Sequence, residues 1–280
     1  MVMDPLSEVL NRFSVSAGVF YSGQLCGVSQ FEQAQDAVGH LHLLKAGKLT
    51  VVKNGSEKVQ LTEPSLLLFP QSIPHRLFAD QDDRAEVVCA EISYGAGRHN
   101  PIANTLPEMV LLPLAHCPGL SGVVSSLFEE VHSCKNGRTL VMDRLTEVLV
   151  VMLMRELVSQ GVVKQGMLAG MNHPKLAPVL LAIHKNPGLS ESVTELAQQA
   201  AMSRTTFIET FRQVLGVPPG DYILGWKISV AQSLLKKGIS ISHVADEVGY
   251  SNTSGFTRAF KKKTGLSPKD WLVSFSDLDV

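Results

Sequence analysis

Disulfides, membrane spans and a strong charge of either sign are all missing from this sequence. Four cysteines, Cys26, Cys89, Cys117 and Cys134, lie far apart in 280 residues with no C-x-x-C spacing. That excludes a disulfide framework or a zinc knuckle as the organising device and leaves the thiols as reduced packing residues. The longest apolar run, Val148 to Met154, is closed by Arg155 and Glu156 and falls far short of the roughly 20 residues that span a bilayer. Met1 to Leu10 carries no basic flank followed by an apolar stretch of signal-peptide length, so the expectation is a cytoplasmic chain without a membrane partner. Charged residues make up only 18% and the net charge is −1, while hydrophobic residues reach 45%. Such a chain buries a sizeable core and has no need of disorder.

What is present is organised in two halves. A single core stops growing well at about 250 to 300 residues, so 280 residues predict two domains. From His173 onward twelve Lys and Arg stand against nine Asp and Glu, a surplus of three, whereas the preceding part holds thirteen against seventeen. The mildly basic end is compatible with nucleic-acid binding but does not establish it. In the first hundred residues, Leu41 to Leu44, Lys48 to Val52, Val59 to Leu61, Leu66 to Phe69, His75 to Phe78 and Glu86 to Ile92 read as strands. Ala46-Gly47, Asn54-Gly55, Pro70 and Pro74 separate them. Asn54-Gly55 predicts a tight hairpin of two residues with positive φ, and many short strands predict a small sandwich or barrel. After about Leu120 the period changes to the helical one. Leu120, Val123, Val124, Leu127, Phe128 and Val131 form one stripe, and Leu140, Leu145, Val148, Leu149, Met152, Leu153 and Leu157 form a second. The second is apolar around much of its circumference, which suits burial within the chain or a dimer seam. Gly161 to Pro174 is read as a link. The expected division is a sensing domain over 1–118, a helical dimerisation or linker region over 119–172, and a helical domain over 173–280.

The last segment is duplicated. Val193-Thr-Glu-Leu-Ala-Gln-Gln-Ala-Ala-Met-Ser203 matches Ile241-Ser-His-Val-Ala-Asp-Glu-Val-Gly-Tyr-Ser251 at an offset of 48. Phe207, Phe211, Gly216 and Pro219 answer to Phe256, Phe260, Gly265 and Pro268 at an offset of 49, one extra residue falling in or just after the second turn. Each copy predicts a helix-turn-helix: a short amphipathic helix, small residues for a close crossing (Ala197 and Ala201; Ala245 and Gly249), and an N-cap at Ser203 or Ser251. The second helix of each copy buries phenylalanines four apart, which frees its opposite face for a major groove. Asp221 to Lys237 predicts a connecting helix that stops at Gly238 and spans roughly 26 Å at 1.5 Å per residue. A rod of that length suits two recognition helices near the spacing of successive major grooves, about 34 Å.

These residues are similar to the DNA-binding domain of the AraC/XylS family of regulators. The stretch from Ile241 to Pro268 carries the family's I-x-x-V-A-x-x-V-G-Y…F-x-R-x-F-K…G-x-S-P pattern nearly complete. Upstream, His40-Leu-His-Leu-Leu-Lys-Ala-Gly47, Pro64-Ser-Leu-Leu-Leu-Phe-Pro70 and Pro74-His75 resemble the cupin-type sensor domain of one branch. The resemblance implies an α+β, multidomain chain: an N-terminal cupin-like β-barrel with a helical extension, then an all-α domain with two helix-turn-helix units. It implies a non-enzymatic transcription regulator, an activator or a repressor, without a cofactor. Its partners would be double-stranded promoter DNA, an unknown small-molecule effector, RNA polymerase and a second copy of the chain.

By the same resemblance the base-reading positions of the second unit fall on Thr253, Ser254 and Arg258, with Thr257 beside them and Asn252 at the start of the helix. Arg258 is the candidate for a bidentate contact to guanine, and Lys261, Lys262 and Lys263 for phosphates. In the first unit the candidates are Ser203, Arg204, Thr205 and Thr206, with Arg212 reaching the backbone. Glu209 stands where relatives place a basic or polar residue. A carboxylate there accepts from cytosine N4 but repels phosphate. His40, His42 and His75 resemble the ligand set of cupin metalloenzymes, but Lys45, Ala46, Gly47 and Lys48 occupy the region of the usual carboxylate, so no metal is expected. His40, His42 and His75 are candidates for lining a ligand pocket; His40 and His42 share a strand face and could equally pack. The rival readings are a metal-dependent cupin enzyme with a fused helical domain and a constitutive DNA-binding protein without an effector.

Overall fold

The structure, a computed structural model, describes residues 6, 7, 9, 10, 15–31, 38–94, 102, 103, 106–188 and 191–276, with backbone alone for 274–276. Two compact units emerge: one holds the described residues between 15 and 94 and between 102 and 163, and the other holds those between 164 and 276 together with residues 6, 7, 9 and 10.

The first unit contains β1 (Ser16–Leu25), β2 (Gly27–Phe31), β3 (Val38–Ala46), β4 (Leu49–Lys53), β5 (Glu57–Leu61), β6 (Ser65–Phe69), β7 (His75–Ala79), β8 (Ala85–Ser93) and β9 (Val110–Pro113). They form two antiparallel sheets, ordered β1-β8-β3-β6-β9 and β2-β7-β4-β5. The barrel expected from the sequence is therefore a pair of sheets, not closed into one hydrogen-bonded cylinder among the described strands. The chain crosses between them at Leu25–Gly27, where Gly27 takes φ 98° and lets β2 leave β1 for the other sheet. Leu44, Leu67, Val87 and Cys89 of one sheet and Leu49, Val51, Leu61, Leu77 and Ala79 of the other meet in one buried cluster. Each buried aliphatic side chain there stabilises the unit by about 1.5–3 kcal/mol relative to exposure.

The six strands read from the sequence are present. Asn54 and Gly55 both have positive φ, 50° and 77°, but the hairpin loop has three residues: Lys53 pairs with Glu57, and Ser56 N–H donates to the Lys53 carbonyl. Gly47 turns β3 into β4 with φ 86°, and a Cβ there would meet the Asp83 carbonyl oxygen at 2.3 Å. α1 (Ser121–Val131) and α2 (Arg138–Ser159) complete the unit. α2 packs along β1. At the irregularity between Val19 and Tyr21, the freed Val19 N–H donates to Asp143 Oδ1 at 2.8 Å, so the bulge keeps its backbone donor satisfied.

The second unit is helical: α3 (Met167–Asn172), α4 (Ala177–Lys185), α5 (Val193–Gln199), α6 (Arg204–Leu215), α7 (Pro219–Lys236), α8 (Ile241–Glu247), α9 (Thr253–Thr264) and α10 (Pro268–Ser276). α3 lies inside the segment read as a link. Its Met167, Leu168 and Gly170 are buried, and Gly170 lies so close to Leu180 and Leu215 that a Cβ would collide with them. α7 begins with Pro219 in its first turn and spans about 27 Å. Ile228 through Ser233 are all buried. A helix enclosed on every side at its middle acts as the core rod of a helical domain, and α7 touches α6, α8, α9 and α10.

Candidate nucleic-acid interface

Each headpiece is built from a capped helix, a left-handed turn and a second capped helix. α5 opens with a capping box: Ser192 Oγ accepts from Glu195 N–H, and Ser192 N–H donates to Glu195 Oε2 at 2.7 Å. In the second copy Ser240 Oγ accepts from His243 N–H. The chain then reverses at Ala201 (φ 49°) or Gly249 (φ 80°), and Met202 N–H or Tyr250 N–H donates back to the carbonyl of Ala197 or Ala245. Ser203 caps α6, its Oγ accepting from Thr206 N–H at 3.2 Å. α9 is capped by Asn252, whose Oδ1 accepts from Gly255 N–H at 2.8 Å. The predicted cap Ser251 is thus displaced by one position. The extra residue of the second turn moves the start of the helix, and the amide at 252 is the side chain that reaches the free N–H groups.

The inner faces are fixed by aromatic packing. Phe207, Phe211, Phe256 and Phe260 are fully buried. Their paired rings lie 5.4 Å apart in α6 and 5.6 Å apart in α9, and Phe260 meets Trp271 of α10 edge-on at 5.9 Å. The outer faces are open: Arg204, Thr205, Thr206, Glu209 and Arg212 on α6, and Thr253, Ser254, Arg258, Lys261, Lys262 and Lys263 on α9, are exposed, with Thr257 half-buried. The three lysines occupy the last turn of α9, where the helix dipole favours cations. Among the described residues neither Glu209 nor Arg258 is held in an ion pair or side-chain hydrogen bond.

In the first unit, His40 and His42 of β3 and His75 of β7 converge, buried, between Phe31 and Phe69. His75 is sandwiched, with ring centroids 4.6 Å from Phe31 and 4.0 Å from Phe69. Burial pushes its pKa down to about 4, against the hydrogen bond to Ile73, which raises it. Burial also lowers His40 and, with His75 and His40 nearby, holds His42 well below the ordinary range. All three rings are therefore neutral near pH 7. The Ile73 carbonyl can only accept, so His75 Nδ1–H donates to it at 2.7 Å. His75 Nε2 is then an acceptor, and His42 Nε2–H donates to it at 2.9 Å. That leaves Nδ1 of both His40 and His42 buried without a partner among the described residues. Among the described residues no three His, Cys, Asp or Glu side chains are placed to hold a metal ion.

Comparison with known proteins decides the family. The sequence matches the cupin family over residues 4–159 and a helix-turn-helix domain family over residues 196–273. The HTH-type transcriptional regulator AlkR of Acinetobacter baylyi is 30% identical, with 96% of this chain and 99% of that protein covered. An uncharacterised HTH-type transcriptional regulator of Haemophilus influenzae is 27% identical, with 98% and 100% covered. A solved structure of ToxT from Vibrio cholerae aligns at 14% identity over 92% of this chain and 94% of that one, with a TM-score of 0.41. This chain belongs to the AraC/XylS family of transcription regulators.

In this AraC-type regulator the candidate DNA contacts divide by what their side chains already do. Ser203 and Asn252 are spent on capping, whereas Arg204, Thr205, Glu209 and Arg212, like Thr253, Ser254, Arg258, Lys261 and Lys262, stand open on the outer faces. The α5 capping box was not read from the sequence, although the pattern Ser192-x-x-Glu195 is its ordinary signal. No helix among the described residues is long and apolar enough to cross a membrane.

Proposed function

We propose that the chain binds promoter DNA with α6 and α9 in successive major grooves and carries a small-molecule effector in its cupin unit. The observation that supports this most is the repetition of one device: two capped helices, each anchored by a buried phenylalanine pair and each open on its outer face. Arg258 is assigned to a guanine edge, and Lys261 and Lys262 to phosphates. The neutral histidines, with unpartnered Nδ1 atoms on His40 and His42, are the polar groups assigned to the effector. Ligand binding there alters promoter occupancy only through unequal affinity for two arrangements of the chain. The regulator works in the cytoplasm with RNA polymerase, as a homodimer whose seam uses the exposed Leu140, Val141 and Val148 of α2.

Footprinting of the full chain on the promoters that it occupies in the cell tests the DNA reading. Two protected stretches about one helical turn apart, on one face of the duplex, are expected. Protection of a single stretch, or of none on any promoter, overturns it.

A further inference from the structure

Glu209 and Arg258 occupy the same place in the two headpieces. Glu209 lies two residues after Phe207 and two before Phe211, and Arg258 lies two residues after Phe256 and two before Phe260. At 3.6 residues per turn, each is roughly opposite its buried ring pair, at the crest of the helix face turned to solvent. Both are exposed. One crest carries an anion and the other a cation.

A carboxylate at that crest is inconsistent with a phosphate contact, since every charge on the duplex backbone is negative. The crest is also the part of a recognition helix that reaches deepest, so the group it meets there is a base edge. In the major groove a carboxylate needs a donor, and only two bases offer one: the N4 amino group of cytosine and the N6 amino group of adenine. Adenine sets its amino group beside N7, an acceptor that opposes a carboxylate. Cytosine presents its amino group without that neighbour. The flanking residues are compatible with this. Thr205, one turn before Glu209, is uncharged, and Arg212, almost one turn after it, is an exposed cation able to meet the adjacent phosphate.

We propose that Glu209 is a specificity-determining residue of the first headpiece and that it selects cytosine. The two crests of one chain then read chemically opposite edges, an acceptor-rich guanine under Arg258 and an amino donor under Glu209, and this seats the regulator on DNA in one orientation. The inference rests on the assignment of α6 and α9 to major grooves.

The test is selection of binding sites from a randomised duplex library by the purified full chain, compared with Glu209→Ala, Glu209→Gln and Arg258→Ala. The native chain should enrich a motif containing a required cytosine about one helical turn from the position lost in Arg258→Ala. Glu209→Ala should erase the preference at that cytosine alone, a loss of roughly 5- to 100-fold in discrimination. Glu209→Gln should move the preference towards adenine, which offers an amide both a donor and an acceptor. An unchanged motif with affinity raised equally on all duplexes would show that Glu209 is only a repelling surface charge. A change at a base other than cytosine also overturns the proposal. If the native chain enriches no motif at all, the assignment of the helices to DNA fails, an outcome distinct from failure at Glu209.

Discussion

Ala201 and Gly249 stand at the same point of two copies of one turn, and both are left-handed, at φ 49° and 80°. Only the second is a glycine. A Cβ at position 249 would lie 2.6 Å from the Gly188 carbonyl oxygen and 2.9 Å from its Cα, so backbone crowding adds to the cost of the conformation. Gly249→Ala is expected to destabilise the helical unit by at least about 1–2 kcal/mol from the left-handed backbone alone, and further through the collision. Ala201→Gly relieves that backbone cost but loosens the unfolded chain, and the two nearly offset, leaving a change of roughly 0.5 kcal/mol or less. Thermal unfolding of the full chain, followed in both variants, checks the asymmetry; equal losses in the two would refute it.

Gln232 lies in the enclosed middle of α7, fully buried, with neither side-chain Nε2 nor Oε1 partnered among the described residues. A buried amide left in this way costs about 1–3 kcal/mol. Methionine has a similar shape and no such demand. Gln232→Met should therefore raise the unfolding temperature of the helical unit by several degrees without altering the outer faces of α6 and α9. A fall in that temperature would mean that the amide is satisfied in solution.

Arg258 and Lys262 are both exposed on α9, but only Arg258 lies at the crest. Arg258→Ala should cost about 1–3 kcal/mol on a specific site and much less on random duplex. Lys262→Ala should weaken both to a similar degree and reduce the slope of log affinity against log salt by about 1. Titrations of both duplexes across a salt series separate the two. Equal losses on cognate and random DNA for the arginine variant would remove its assignment to a base.

Legibility in the sequence followed burial. β3, β6 and β8 are buried along most of their length, and their apolar runs announce strands. β1 and β2 do not: β1 carries Gly18 and Gly23 among half-exposed residues, and β2 leaves Val28 62% exposed. Strands at sheet edges need no apolar alternation, so composition hides them. The duplicated headpieces were legible because one pattern occurs twice and each occurrence tests the other. The same comparison revealed the extra residue of the second turn but could not place the cap on Asn252 in preference to Ser251. That choice depends on which side chain reaches the Gly255 amide. Closure of the sheets was equally invisible, because it depends on hydrogen bonds between strands far apart in sequence.

The histidine cluster makes the cupin unit sensitive to acid. Burial holds His75 at about 4 and lowers His42 and His40 as well, with Glu91 opposing the shift at His40. In the unfolded chain each titrates near 6.5. Between those values the unfolded state binds more protons than the folded one, so stability is full above about pH 6.5 and declines as the pH falls towards 4. Protonation also breaks the contact between His42 and His75, since two imidazolium rings have no acceptor nitrogen to share. Unfolding temperatures of the full chain between pH 8 and pH 5 should drop across the lower half of that range. His75→Phe keeps a ring between Phe31 and Phe69 but cannot take up a proton, so it should flatten the decline even if it lowers stability at pH 8. An equally steep decline in the variant would place the acid sensitivity elsewhere in the chain.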